Sequence, residues 1–280
     1  MKKIVWFIKQ SLMLDYKFME TSKFNIVDKS KFLLIKYFLI LKHLFKNFEL
    51  GKDFCFFNGK KIFYDSKFGL AGYQRILCTH QNLIKLAQIN NVKVVIDIGA
   101  NVGFFSKLCR FLFPESKIFS FEPIPQTYTC LYKNFKSDKN TYVYNLGISD
   151  FNGKSKMNFN SQNSAVSQIT INGNIKVYVN KLDDFVKNNN IEYIDILKID
   201  TESFESHVLR GAHRALSKTK YIFMEITMEA NNYNYTISSL LKLLSSSKFD
   251  FQLIAFRNYA DKSEGEMPIM DALFKNIRIK

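Results

Sequence analysis

Seven apolar runs, at residues 92–98, 117–121, 141–146, 175–179, 193–199, 220–226 and 251–256, alternate with stretches whose apolar residues recur at helical spacing. Parallel strands need long crossovers, and the crossover helices cover both faces of the sheet, so such strands read as continuous apolar runs. The pattern predicts an α/β fold: a mostly parallel seven-stranded sheet with helices on both faces. The chain is long enough for it. Its 280 residues, 47% of them hydrophobic, exclude general disorder and bury a full core.

The first of these runs opens a motif, VVIDIGANVGFF at residues 94–105. Residues 92–98 read as a buried strand, and Phe104, Phe105, Leu108, Phe111 and Leu112 as the apolar stripe of a helix that Pro114 ends. The glycines fall in the strand-to-helix turn. Gly99 permits a positive φ or a close approach of backbone to ligand, and Gly103 lets the start of the helix pack tightly against the strand. The spacing is D-x-G-x-N-x-G. It differs from the G-x-G-x-x-G fingerprint that sets a helix N-terminus against a pyrophosphate. Asp97 and Asn101 instead suit a ligand with an amino group and a carboxylate. The next strand, KIFSFEP, ends in Glu122 with Pro123 beside it, 23 positions after Gly99. That is near the offset at which an acidic residue grips ribose hydroxyls. A cofactor carrying ribose and an amino acid but no phosphate is S-adenosylmethionine, so a methyltransferase is favoured over an NAD or nucleotide enzyme.

A second acidic group follows. Residues 195–199 read as a buried strand that delivers Asp200 to its carboxyl end, the edge where doubly wound sheets do their chemistry. Phe204, Val208, Leu209, Ala212 and Leu216 predict one sheet-facing helix. Glu205 lies inside that stripe, and a buried carboxylate requires a partner. Asp200, Glu202 and Glu225 are the candidate bases for deprotonating a hydroxyl. The same carboxylates suit magnesium, and a purely structural network is the third reading; no residue is assigned as a metal ligand. His80, His207 and His213 are left out of the active set. Gly147, Ile148 and Ser149, in NLGISD, are expected to pack against adenine.

Net charge is +15, and 13 basic against five acidic residues in positions 1–61 put +8 of it at the N-terminus. On a helical wheel, residues 31–48 gather Lys31, Lys36, Lys42, His43 and Lys46 in one wedge. Leu33, Leu34, Ile40, Leu41, Leu44, Phe45 and Phe48 stand opposite. The expectation is a helix that packs its apolar face on the domain and shows its lysines to water. The alternative is a helix lying on an anionic membrane surface, a peripheral contact through residues 31–48. The lysines recur too often for a bilayer-spanning segment. Asn58-Gly59 marks a hairpin between two aromatic runs. Cys55, Cys78, Cys109 and Cys130 form neither a C-x-x-C pair nor a zinc spacing, and no secretory signal is expected, so a cytoplasmic or membrane-peripheral location is expected. The expected domains are a basic helical segment at 1–53 and a catalytic domain at 54–280, with its core at 92–256.

Five blocks carry a resemblance: VVIDIGANVGFFSKL, FSFEPIPQTYTCLYKNF, NLGISDFNGKSKM, VNKLDDF and LKIDTESFESHVLRGAHRAL, followed by YIFMEI. In order and spacing they resemble the FkbM-type methyltransferases over residues 92 to about 226. The resemblance implies a Rossmann-like class I methyltransferase fold. It also implies transfer of a methyl group from S-adenosylmethionine to a hydroxyl, typically on a sugar of a glycan or glycan precursor. In this chain the cofactor set would be Asp97, Gly99, Asn101, Gly103, Glu122, Pro123, Gly147, Ile148 and Ser149, and the catalytic set Asp200, Glu202 and Glu225. The family's D-x-E-G-x-E block reads Asp200-Thr201-Glu202-Ser203-Phe204-Glu205 here, with serine in place of glycine. A nucleic-acid methyltransferase is the first rival reading, prompted by the positive charge. No nucleic acid is expected, because DTES replaces the Asn/Asp-Pro-Pro-aromatic turn of base-amino methylation and no Pro-Cys pair is present. A non-catalytic binding protein that kept the fold is the second.

Overall fold

The computed structural model describes residues 2–21, 24–47, 49–57, 60–65, 69–159, 168–169, 173–227, 236–258 and 269–279. Two helices come first, α1 (Lys2–Thr21) and α2 (Ile26–Phe45), then the antiparallel pair β1 (Phe54–Phe57) and β2 (Lys60–Phe63) and helix α3 (Gly69–Leu86). Asn58 and Gly59, the expected hairpin turn, lie outside the described residues, as does Phe48. The alternating part runs β3 (Val94–Ile98), α4 (Phe104–Leu112), β4 (Lys117–Phe121), α5 (Pro125–Phe135) and β5 (Thr141–Tyr144). Short strands β6 (Gly147–Ile148), β7 (Gly153–Asn158), β8 (Gln168–Ile169) and β9 (Ile175–Asn180) interrupt it. It resumes with α6 (Leu182–Asn188), β10 (Ile194–Ile199), α7 (Glu205–Arg210), α8 (His213–Ser217), β11 (Thr219–Thr227), α9 (Ile237–Leu243), β12 (Phe251–Asn258) and β13 (Ile269–Asn276).

The central sheet has seven strands in the order β12-β13-β11-β10-β3-β4-β5. The five from β11 to β5 are parallel, and β13 enters antiparallel between β11 and β12. The expected mostly parallel seven-stranded sheet is present, with one change of membership. The apolar run at 175–179 does not join it. As β9 it belongs to a separate four-stranded sheet, β6-β9-β7-β8, where alternate residues Val177 and Val179 are buried. Residues buried on one face only fit a small flanking sheet. β13 takes the seventh place.

Each central strand presents alternate residues to opposite faces. Val95, Ile118, Ile196, Phe223 and Leu273 point into a core built with α3, α4 and the N-terminal helices. Ile96, Phe119, Leu197, Ile222 and Phe274 point into a second core with α6, α7, α8 and α9. Phe18, Phe32 and Leu39 lie in the first core with Leu77 and Phe105, so α1 and α2 share the sheet's apolar cluster.

The docking of α2 reverses the expected orientation. Lys29, Phe32, Lys36, Leu39 and His43 face inward, while Leu34, Phe38, Leu41, Leu44 and Phe45 face out, Leu34 at 72% and Phe45 at 90% exposure. The reason is that the domain offers polar partners. Lys36, 1% exposed, sits 2.5 Å from Asp15 of α1, which Gln74 and the Tyr37 hydroxyl also bond. His43 Nε2 bonds Tyr64 at 3.0 Å, and Lys42 bonds Asp53 at 2.9 Å. A hydrogen-bonded buried ion pair outweighs the apolar pattern of a helix that is apolar nearly all round. The single helix expected over 204–216 is likewise two short helices, interrupted at Gly211. A Cβ there would stand 1.9 Å from the Ser149 carbonyl oxygen, so the helix yields to the loop after β6.

Candidate functional site

The site lies beyond the carboxyl ends of β3, β4, β10 and β11. Backbone contacts hold three of its loops. The amides of Gly99 and Ala100 donate to the Phe121 carbonyl at the end of β4, and the Asp200 amide donates to the Ile98 carbonyl at the end of β3. Gly99, at φ 71°, lies so close to the next loop that a Cβ would stand 1.8 Å from the Asp200 carbonyl oxygen. Its freedom serves loop against loop. Gly103, the N-cap of α4 at φ 89°, would drive a Cβ into Phe135 and Leu131 of α5, so its close approach is to that helix and not to the strand.

The residues expected around a cofactor form a continuous turn-and-strand edge. Glu122, buried, accepts the Ile124 amide at 2.9 Å through Oε1 and the Asn101 amide at 3.0 Å through Oε2. One lone pair remains on each oxygen for a further donor. Burial raises this carboxyl to about pH 7, against the pull of the two amides. Asn101 adopts φ 51° and its side chain accepts the Val102 amide. Pro123 and Gly147 are neighbours: a Cβ on Gly147 would lie 3.4 Å from Pro123 Cβ. Asn145 clasps the carbonyls of Glu122 and Pro123, each at 3.0 Å. Ile148 and Ser149 are buried, the latter with its amide bonded to Asn180. Asp97 lies beneath the turn at 0% exposure, where Oδ2 accepts the Ser106 hydroxyl at 2.6 Å and Oδ1 has no hydrogen-bond partner.

Asp200, Glu202 and Glu225 come together: each offers a carboxylate oxygen within 4.8 Å of the others. Lys198 binds the group to the turn, with Nζ 3.0 Å from Asp200 Oδ2 and 3.5 Å from Asp97 Oδ1. Lys198 holds the Asp200 carboxyl below its ordinary range despite burial. Glu202 rises to about 8, through burial first and then repulsion from Asp200 and Glu205. Glu225 rises well above its usual range for the same kinds of reason. Glu205 does not join them. Its Oε1 accepts the Thr201 amide, the Thr201 hydroxyl and the Ser203 amide at 3.0, 3.0 and 3.2 Å, so its required partners are donors of its own turn. The turn is strained: Glu202 at φ 53° and Ser203 at φ 76° are consecutive left-handed residues. This is where serine replaces the glycine of the resembling family, and Glu205 is the clasp that holds it.

Three more residues belong here. Lys198 stands inside the strand IDILKI, one residue from its end, and Asp271 inside IMDALF; a charge inside a buried strand was the available signal. Asp271, raised to about 7 by burial and by Asp200, is the cross-strand partner of Glu225. His80 Nε2 lies 3.7 Å from Asp271 Oδ2, its ring between Phe105 and Phe223. Burial pushes it down to about 3, which leaves a neutral imidazole.

Comparison with known proteins identifies the family. The model of the methyltransferase FkbM domain matches residues 97–253. The 2-O-methyltransferase NoeI of Sinorhizobium fredii is 26% identical over 201 residues, 64% of this chain and 80% of that protein. The hexuronic acid methyltransferase AglP of Haloferax volcanii is 24% identical over 185 residues, 64% of this chain and 73% of that protein. Among solved structures, TrmK of M. capricolum with bound S-adenosylhomocysteine aligns at a TM-score of 0.41 and 13% identity, covering 70% of this chain and 68% of that one. The chain belongs to the FkbM-domain family of methyltransferases, enzymes that take their methyl group from S-adenosylmethionine.

Proposed function

We propose that this methyltransferase methylates a hydroxyl of a sugar in a glycan or glycan precursor. The observation that carries the reading is the carboxylate group Asp200, Glu202 and Glu225, set beside the Gly99 turn at the carboxyl edge of the sheet. The names of the relatives, a 2-O-methyltransferase and a hexuronic acid methyltransferase, point the same way. The residues fit the cofactor. Glu122 keeps acceptor capacity for ribose hydroxyls, and Asp97, fully buried, lies under the turn with Oδ1 3.5 Å from Lys198 Nζ. When bound, that cofactor supplies an electrophilic methyl group.

A sugar hydroxyl is a poor nucleophile, so transfer gains from a base that takes its proton as the carbon–oxygen bond forms and the carbon–sulfur pair returns to sulfur. Glu202 and Glu225, both raised, are matched to that proton; Asp200, held ionised by Lys198, orients the acceptor. Calorimetric titration with S-adenosylmethionine, followed by mass spectrometry of glycans from cells with and without the protein, tests the reading. Binding and glycans lighter by one CH2 per repeat in the deleted cells are expected; binding with unchanged glycans would overturn the acceptor.

A specific observation favours a membrane-peripheral setting at the cytoplasmic face as well. The exposed stripe Leu34, Phe38, Leu41 and Phe45 repeats every three or four residues on α2, with Val27 seven residues before it, Lys31 and Lys46 exposed beside it and +8 of net charge in residues 1–61. Among the described residues no helix is long and apolar enough to cross a membrane. An apolar stripe flanked by lysines fits the surface of an anionic bilayer. Co-sedimentation with phosphatidylglycerol vesicles but not phosphatidylcholine vesicles, lost in Phe38→Ser/Leu41→Ser at unchanged melting temperature, is the expected result. Equal recovery with both lipids, or no loss in the variant, would sink it.

A further inference from the structure

We infer that Asp200, Glu202 and Glu225 form a binding site for a hard divalent cation such as Mg2+ or Mn2+, with Asp271 as its outer partner; the inference deepens the hydroxyl-methylating reading and rests on it. Oxygens of one coordination sphere, at about 2.0–2.6 Å from the ion, stand no more than about 4–5 Å apart. The three carboxylates already offer atoms within 4.8 Å of one another. Their origins make the grouping rigid: Asp200 and Glu202 come from the strained turn that Glu205 clasps, and Glu225 from a strand hydrogen-bonded on both sides.

A second observation points to a ligand. Asp271, 5% exposed, is paired in register with Glu225 across β11 and β13, so the two side chains share one face of the sheet. Its Oδ2 is buried without a hydrogen-bond donor. His80 Nε2, on a neutral imidazole, is 3.7 Å away. A buried carboxylate oxygen beside three other carboxylates needs a donor, and water held on a metal ion is the donor that such a neighbourhood can supply. Lys198 offsets part of the charge, at Asp200 and at Asp97. Oxygen-only donors select a hard cation over zinc or copper, and three protein ligands leave positions for water and for vicinal hydroxyls of an acceptor. The ion would orient the acceptor and favour its deprotonated form.

The test is Mn2+ binding to the full chain, followed by electron paramagnetic resonance, with S-adenosylmethionine affinity measured by calorimetry on the same samples. Expected is one Mn2+ per chain in the wild type, displaced by Mg2+. Affinity should fall about tenfold or more in Glu225→Gln and by a smaller factor in Asp271→Asn. S-adenosylmethionine affinity should change little in either. Glu202→Gln, on the turn, serves if Glu225→Gln does not fold. A wild type that binds S-adenosylmethionine but no Mn2+ overturns the metal site and leaves the methyltransferase reading standing. Mn2+ binding that no variant weakens places the ion elsewhere and overturns the assignment as well. Mn2+ binding with no affinity for S-adenosylmethionine supports the site while defeating the cofactor reading.

Discussion

Lys198 and Asp97 face each other across neighbouring parallel strands, Nζ to Oδ1 at 3.5 Å, both buried and in direct register. Asp97 is in turn the register partner of Ser120, whose hydroxyl lies 2.8 Å from that of Ser106. A polar row thus crosses three strands under the first core and ends at Asp200. Lys198 is its one cation, and removing it leaves the buried Asp97 and the partly exposed Asp200 without their counter-charge. Lys198→Met is expected to lower stability by about 3–5 kcal/mol. It should also reduce methyl transfer at least as strongly as Asp200→Asn does. Urea denaturation and initial rates on the same preparations check it.

Stability should depend on pH in a definite direction. The carboxyls of Glu122, Asp271 and Glu202, raised in the fold to about 7, 7 and 8, have ordinary values of 4.5, 3.8 and 4.5. A raised acid holds its proton longer in the folded chain, so stability is fully present below the ordinary value and is lost as pH rises through the folded one. The ligand-free melting temperature should fall between about pH 4 and pH 8. Glu202→Gln should flatten the upper part of that fall; a profile that rises over the same range would contradict the arrangement.

Ser203 adopts φ 76°, a left-handed value that a side chain adopts at a cost. Ser203→Gly should stabilise the protein by about 1 kcal/mol and raise the melting temperature by a few degrees. Because Glu205 already fixes the turn, methyl transfer, read as initial rates, should change less than twofold.

At Gly99 both φ and space forbid a side chain, with the Asp200 carbonyl 1.8 Å from a built Cβ. Gly99→Ala is expected to cost about 3 kcal/mol or more and to abolish S-adenosylmethionine binding. Thermal unfolding and calorimetry would read both, and a variant of wild-type stability would show that the two loops are not pressed together.

Asp15 receives Lys36, Gln74 and Tyr37 inside the N-terminal helices. Asp15→Ala should destabilise by about 3–5 kcal/mol through the stranded lysine. Leu41→Ser, on the exposed side of α2, should leave the melting temperature within about a degree.

What the sequence by itself determined is what local periodicity and turn chemistry can carry. Apolar runs and helical stripes marked the alternating sheet, Gly99 and Gly103 the turn after its first strand, and strand-end positions brought Glu122, Asp200 and Glu225 to one edge. Only the tertiary structure decided the rest, because each outcome depended on partners far away in the chain. Asp271 and Lys198 stand out locally only as charges inside apolar runs, and it is strand register that brought them to the site. The run at 175–179 left the central sheet because a flanking sheet also accepts buried alternate residues. The outward turn of the apolar face of α2 was decided by Asp15, Asp53 and Tyr64: a helix apolar on most sides has no orientation of its own, and buried charges take the one that gives them partners.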